Sequence, residues 1–426
     1  MTKVIPGSVG WSVTGDRSIE FAKQPIDFIE RRIKQHDSKI FIARALNVPT
    51  VFVCSNEGVR QIFENEDYFA MGYKDFGYIY QLYGDVLLFY DDAEAMRLRG
   101  IIRMLFDHAI CQHYVEQVRS ITTEFLSDFD KSNHIQLYET FKSFTTALSL
   151  ELFLGLNWKS KAMEYETIKS ISTIHWHGLI SVPLNVRLRG WSSSFSKAIE
   201  AKEYLMRFIR KRLRNSTLTK RDDKDFIANA NQADFKDEDE ALMHVLLFIS
   251  ALIPKALASL LTSFCIATSG ADKAFLRARM RGDDEYLSDV LLEVQRLWPP
   301  FLGGRRIARK DVVIDGHTIP ANTAVAYINW FANRDPKTFS SPNNFNPERW
   351  QTCDQLKRDL VWTFGGGKRI CVGVDFINNI LKIICKKLLA DFDWTLANHT
   401  SHEVPYKTLP VARPRHTVLA SFVKRR

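Results

Sequence analysis

The chain of 426 residues predicts a mostly α-helical fold with one small β-sheet. Helical periodicity covers most of its length, strand-like alternation is confined to two stretches, and nothing reads as a Pro/Gly/Ser linker between domains. In order, apolar residues recur at helical spacing over 19–36, over 56–64, and in several segments of 93–170. The spacing returns at 196–213, 241–268, 286–297 and 374–391. Alternation marks strands over 39–53 and 312–325. The polar region 211–240 carries both charge signs and is expected as a surface loop between two helices. A hydrophobic content of 46% allows a large core, and length alone suggests two or three domains.

The six cysteines, at 54, 111, 265, 353, 371 and 385, show neither zinc nor disulfide spacing. Apart from Cys371 they read as buried free thiols of a reducing, cytoplasmic compartment. The N-terminus, Met1-Thr2-Lys3-Val4-Ile5, shows no signal peptide and no hydrophobic anchor, so a soluble monomer is expected. One stretch, 245–267, resembles a membrane span in length, but Lys255 at its centre costs about 2.5–3.5 kcal/mol on insertion, and Pro254 stands beside it. A long buried core helix is the expectation, with Lys255 on the surface or snorkelling rather than turned inward. The net charge of +9 fits a solvated basic surface or a docking face for an acidic partner. Nucleic acid is excluded as a partner, because the charge is dispersed and no matching motif is present.

The most informative residues are Phe364 to Gly373, reading F-G-G-G-K-R-I-C-V-G. They offer Cys371 in a glycine-rich loop with Arg369 two residues away, and a helix begins directly afterwards. All of these favour a thiolate. Taken alone, Cys371 would be a small buried hydrophobe in a turn. The pattern F-x-x-G-x-R-x-C-x-G, filled at Phe364, Gly367, Arg369, Cys371 and Gly373, instead resembles the haem-binding loop of the cytochrome P-450 family. That resemblance implies Cys371 as the sole protein ligand of a haem b iron, a thiolate ligand that favours O–O cleavage. Glu293-Val-Gln-Arg296 precedes Leu297-Trp298-Pro299-Pro300, where two prolines must end a helix. With Arg349 of Asn346-Pro347-Glu348-Arg349-Trp350, the pair resembles the family's buried ionic triad, a structural rather than chemical role.

The resemblance covers nearly the whole chain in the right order, and implies a single haem-thiolate catalytic domain over 1–426 with haem between a distal helix and the cysteine loop. Pro6-Gly7 resembles the family's entry segment, and Ala95-Met96-Arg97-Leu98-Arg99 its W-x-x-x-R helix, with Ala95 where Trp or His is usual. Arg99 is thereby implied as a propionate donor. Gly303-Gly304-Arg305-Arg306, followed by Asp315-Gly316 and Ile319-Pro320, resembles the strand pair lining the haem, with Arg306 as a further propionate partner beside Arg369. The nearest subgroup resemblance is to retinoic acid hydroxylases and their cyanobacterial relatives. Apolar substrate contacts are expected from 69–90, 171–186 and 301–304.

The distal helix departs from the family. Oxygen-activating members carry A/G-G-x-D/E-T there, an acid and alcohol that relay protons, whereas this chain has Ser250-Ala251-Leu252-Ile253-Pro254. Pro254 lacks an N–H for the Ser250 carbonyl, so a kink is expected, and Ser250 and Pro254 are the distal candidates for altered chemistry. Fatty-acid peroxygenases of the family carry Arg-Pro at these positions; this chain matches only the Pro. Three readings follow. The first is a monooxygenase of secondary metabolism acting on a hydrophobic small molecule, with electrons from a ferredoxin- or flavodoxin-type partner. The second is a peroxygenase or a non-oxidative isomerase or dehydratase. The third is a haem-binding protein with little catalysis.

Overall fold

The computed structural model describes residues 3–11, 15–45, 47–72, 76–106, 108–160, 163–218, 226–250, 252–399 and 404–425. The helices that position functional residues are, in chain order, α1 (Asn56–Glu64), α2 (Asp92–Leu105), α3 (Leu137–Leu154), α4 (Met163–His177), α5 (Phe226–Gln232), α6 (Glu238–Ser250), α7 (Leu252–Ala267), α8 (Asp284–Leu297) and α9 (Val374–Asp391). Contacts divide the chain into two compact units, one of residues 1–72, 262–371 and 399–418, the other of 73–261, 372–398 and 419–426.

The first unit is built on a six-stranded sheet of β1 (Gly7–Ser8), β2 (Ile40–Ala45), β3 (Val48–Val53), β4 (Phe69–Met71), β5 (Gly304–Ala308) and β6 (Ala324–Tyr327), in spatial order β1-β2-β3-β6-β5-β4. The run 39–53 folds back on itself, so that β2 and β3 pair antiparallel from Ile40↔Val53 to Ala45↔Val48. β6 joins β3 in parallel and β5 antiparallel, placing Arg306 opposite Val325 and, on its other side, Met71. Asp315 and Gly316 both take positive φ between Val312–Ile314 and His317–Ile319, the conformation a tight hairpin requires. Two caps set the helices. The Ser55 hydroxyl accepts the Gly58 amide at 3.1 Å to start α1, and the Asp283 carboxylate accepts the amides of Glu285 and Tyr286 at 3.0 and 2.8 Å to start α8. α8 ends at Leu297, before Pro299 and Pro300.

The second unit is helical, with a three-stranded sheet of Ile135–Gln136, Phe392–Leu396 and Leu419–Lys424. Its core gathers Phe106, Phe153, Phe226, Phe248 and Phe376 in edge and tilted contacts, with ring centroids 4.7–6.4 Å apart. Phe226 corrects the expectation of a surface loop over 211–240. Helix Ser194–Leu218 runs past residue 213, and α5 buries Phe226, Ile227, Ala228 and Ala230 within that region. The surrounding charges had averaged away a short apolar run. Helix-forming sequence over 238–267 is long and apolar enough to cross a membrane, yet its most apolar 18-residue window is 93% buried in the protein.

Candidate functional site

In the first unit the ligand loop is a chain of short turns. A 3₁₀ turn at Trp362–Phe364 leads into Gly365 at φ +75°, a second spans Gly367–Arg369, and the Cys371 amide donates to the Phe364 carbonyl at 2.9 Å to close the loop. Cys371 is exposed, whereas Cys54, Cys265 and Cys385 are buried. Burial pushes the thiols of Cys54 and Cys265 far up, which leaves them inert. Gly367 sits at φ +64°, and a Cβ there would lie 2.5 Å from Glu66 Oε1 and 2.6 Å from the Phe63 carbonyl. The loop therefore rests on the end of α1 and the turn after it. At Gly373, which caps α9, a Cβ would meet nothing within 4 Å.

Arg306 lies beside this loop through Phe63, whose ring is 6.0 Å from the guanidinium and 5.3 Å from the Trp362 ring. Tyr327 lies beneath the same guanidinium at 5.2 Å. Arg306 is 5% exposed and donates to the Arg305 carbonyl at 2.9 Å, and among the described residues no carboxylate pairs with it. A buried guanidinium without an acid is costly. An anionic group such as a haem propionate would supply the missing counter-charge, so Cys371 and Arg306 fit a haem.

The structure brings Glu293, Arg296 and Arg349 together. Arg296 engages Glu293 bidentately at 2.8 and 2.9 Å, Arg349 Nε reaches the same carboxylate at 3.1 Å, and the Asn346 amide adds 3.0 Å. The remaining donors of Arg296 reach the carbonyls of Asn333 and Pro342 at 2.8 and 2.7 Å, and Arg349 reaches that of Ser340 at 2.7 Å. None of these groups is open to a reaction. They tie α8 to the segment that leads into the ligand loop.

In the second unit, Arg99 is buried on α2, and Arg97 bridges Glu94 and the buried Glu240 at 2.7 and 2.6 Å. The distal sequence lies where α6 is described as far as Ser250 and α7 from Leu252; Ala251 and the Ile253 side chain lie outside the described residues. Pro254 is buried. Two hydroxyls of α3 reach carbonyls of these helices: Ser149 donates to the Phe248 carbonyl at 3.3 Å and Thr145 to that of Pro254 at 2.7 Å. Lys255 departs from its expected surface position. It is 4% exposed, near Lys142, Glu139 and His177, and burial together with Lys142 lowers its pKa to about 8. Adjacency to Pro254, which lacks an amide donor, gave no way to read that direction. Of the expected substrate segments, Val182 and Leu184 are instead exposed, at 70% and 60%.

Ser250 is already engaged. Its Oγ lies 2.8 Å from the Leu246 carbonyl and 3.0 Å from His175 Nδ1, while His175 Nε2 meets the Leu82 carbonyl at 2.9 Å. Full burial lowers the His175 pKa from 6.5 to about 4, so the ring is neutral. Its one N–H then belongs on Nε2, facing Leu82, and Nδ1 accepts from Ser250. Sequence reading missed His175, because no local motif connects it with a serine 75 residues away.

This histidine predicts an acid response. The folded pKa lies below the unfolded one, so its contribution is complete above about 6.5 and is lost as pH falls toward about 4. It amounts to about 3 kcal/mol. Denaturant midpoints should therefore fall over that window, and His175→Gln, which can keep the donation to Leu82, should flatten the slope. An unchanged slope in the variant would remove His175 from the account.

A family model described as Cytochrome P450 matches residues 269–420. A (21S)-21-acetyl-1-hydroxy-apo-melianone synthase of Melia azedarach is 23% identical over 98% of this chain and 91% of its own length. A β-amyrin 6-β-monooxygenase of Solanum lycopersicum is 22% identical over 95% and 90%. Among solved structures, the retinoic acid-bound cyanobacterial CYP120A1 superposes with a TM-score of 0.86 at 22% identity, covering all of both chains. CYP152N1 with myristic acid gives 0.77 at 16% identity, covering 99% of this chain and 100% of the other.

Proposed function

Because the chain belongs to the cytochrome P450 family and is a P450-type monooxygenase, we propose that it oxidises a hydrophobic, terpenoid-class small molecule with electrons from an acidic ferredoxin- or flavodoxin-type partner. The observation that carries the proposal is the exposed Cys371 in a loop closed by its own amide, with the acid-free guanidinium of Arg306 close by. Bound haem b would supply the oxygen-activating chemistry. Cys371 would hold the iron, and Arg306 and Arg369 the propionates. The substrate class rests on relatives whose names specify a melianone or β-amyrin product or substrate, and on the apolar composition of the chain.

The protein's own contribution to proton delivery is small at the distal helix. Pro254 has no hydroxyl, and the single hydroxyl proton of Ser250 already faces an internal acceptor, His175 Nδ1 or the Leu246 carbonyl, so neither offers a ready proton. A substrate that carries a hydroxyl or carboxyl group near the oxidised carbon would fill that gap. The peroxygenase reading keeps one supporting feature, the shared proline, but no arginine precedes it.

The test is optical. Reduced protein with carbon monoxide should show the red-shifted Soret band of thiolate ligation, and Cys371→Ala should lose it completely. Retention of that band in Cys371→Ala would overturn the assignment of the ligand.

A further inference from the structure

We propose that Glu66 is a positioning residue for the thiolate, setting the electronic character of the iron site through the ligand loop. The inference rests on the reading of Cys371 as iron ligand and goes beyond it to a residue that no motif marks. Glu66 opens the 3₁₀ turn Glu66–Tyr68 that follows α1, and it is 7% exposed. Its carboxylate spends both oxygens on the ligand loop: Oε2 accepts the Lys368 amide at 2.7 Å and Oε1 the Arg369 amide at 3.1 Å. These amides belong to the residues three and two positions before Cys371, across about 300 residues of sequence.

The contact is built from both sides. Gly367 is the position where a Cβ would strike Glu66 Oε1, and its positive φ turns the next two amides toward the carboxylate. The Phe63 carbonyl presses on the same point, so the end of α1 and the loop are fitted together. A carboxylate on two amide donors is a charge-assisted arrangement, stiffer than neutral hydrogen bonds. Lys368 meanwhile turns its side chain outward to Asp67, at 3.4 Å on the surface.

Two consequences follow for the sulfur. Its backbone is held twice on the N-terminal side, by Glu66 on the Lys368 and Arg369 amides and by the Cys371 amide donating to the Phe364 carbonyl. A negative charge is also fixed within the loop that presents the thiolate, in a setting too buried for water to screen fully. That charge favours the more positive oxidation state of the iron. Glu66 should thus lower the reduction potential as well as protect the thiolate bond.

The experiment uses the haem-loaded, full-length protein and compares wild type with Glu66→Gln, Glu66→Asp, Glu64→Gln and Cys371→Ala. Glu64 is exposed on the same helix and pairs only with Arg60 among the described residues, so it controls for surface charge. Glu66→Gln keeps the size but removes the charge and sets a donor against an amide N–H. It should shift the reduction potential positively and speed the loss of the carbon monoxide complex's thiolate band on mild heating several-fold. Glu66→Asp keeps the charge with a shorter reach and should fall between wild type and Gln; if Gln does not fold, the Asp shift decides. Glu64→Gln should match wild type. A potential unchanged in both Glu66 variants would overturn the proposal, even with a lowered melting temperature, since Glu66 would then be only a brace. Wild type without any thiolate band would instead defeat the reading of Cys371.

Discussion

Glu293→Gln should destabilise the protein by about 3–5 kcal/mol, enough to remove most of the stability of an ordinary domain. The reason is what it leaves behind. Arg296 and Glu293 have no exposed side-chain surface, and Arg349 has almost none, so loss of the carboxylate strands two guanidinium charges away from water. Their carbonyl partners soften this loss but carry no net charge. The comparison is Glu348→Gln, on the same PERW turn, where the pair with Arg279 at 3.0 Å is about half exposed on the acid side. An exposed pair contributes about 0–1 kcal/mol, so that variant should unfold near the wild-type denaturant concentration. Urea midpoints with a common slope make the measurement. A Glu293→Gln midpoint within the range of Glu348→Gln would show that the carbonyl cage alone stabilises the arginines.

What the sequence made legible follows from the range over which each feature acts. Fold class was legible because amphipathic spacing is local, and the structure shows the helical architecture with small sheets that it implied. Glu293 and Arg296 meet because three residues on a helix set them on one face, and the Gly367 to Cys371 turns follow from residues within one loop. Contacts fixed only by the tertiary arrangement were not legible. Glu66 reaches Lys368 across the chain, and His175 reaches Ser250 from another helix. The same limit explains α5: the charges around 211–240 describe the surface of that region, while Phe226 is placed by the rings of Phe106, Phe153 and Phe248. Lys255 was misplaced for a related reason. Its direction depends on how the helix turns at Pro254, which no window of sequence encodes.

The distal helix gives the largest expected change in catalysis. With surrogate ferredoxin and reductase, wild-type protein should spend most reducing equivalents on peroxide or water when the test substrate has no polar group near the oxidised carbon. Ile253 and Pro254 stand where an acid and an alcohol are expected, and the nearest hydroxyl on that helix, Ser250, is held by His175. Ile253→Asp with Pro254→Thr should therefore raise coupling to product. General acid assistance is worth about 10²–10⁴-fold, so the gain should stand well clear of measurement error. The Pro254→Thr change also restores an amide for the Ser250 carbonyl, which alters the helix locally, so circular dichroism and haem content must accompany the assay. Thr145→Val supplies a second reading: by removing the donor to the Pro254 carbonyl at 2.7 Å it should perturb the helix without supplying a proton, and coupling should not rise. Tight coupling by the wild type on a substrate without polar groups would contradict the argument, and would place the proton relay in water held along the distal helix.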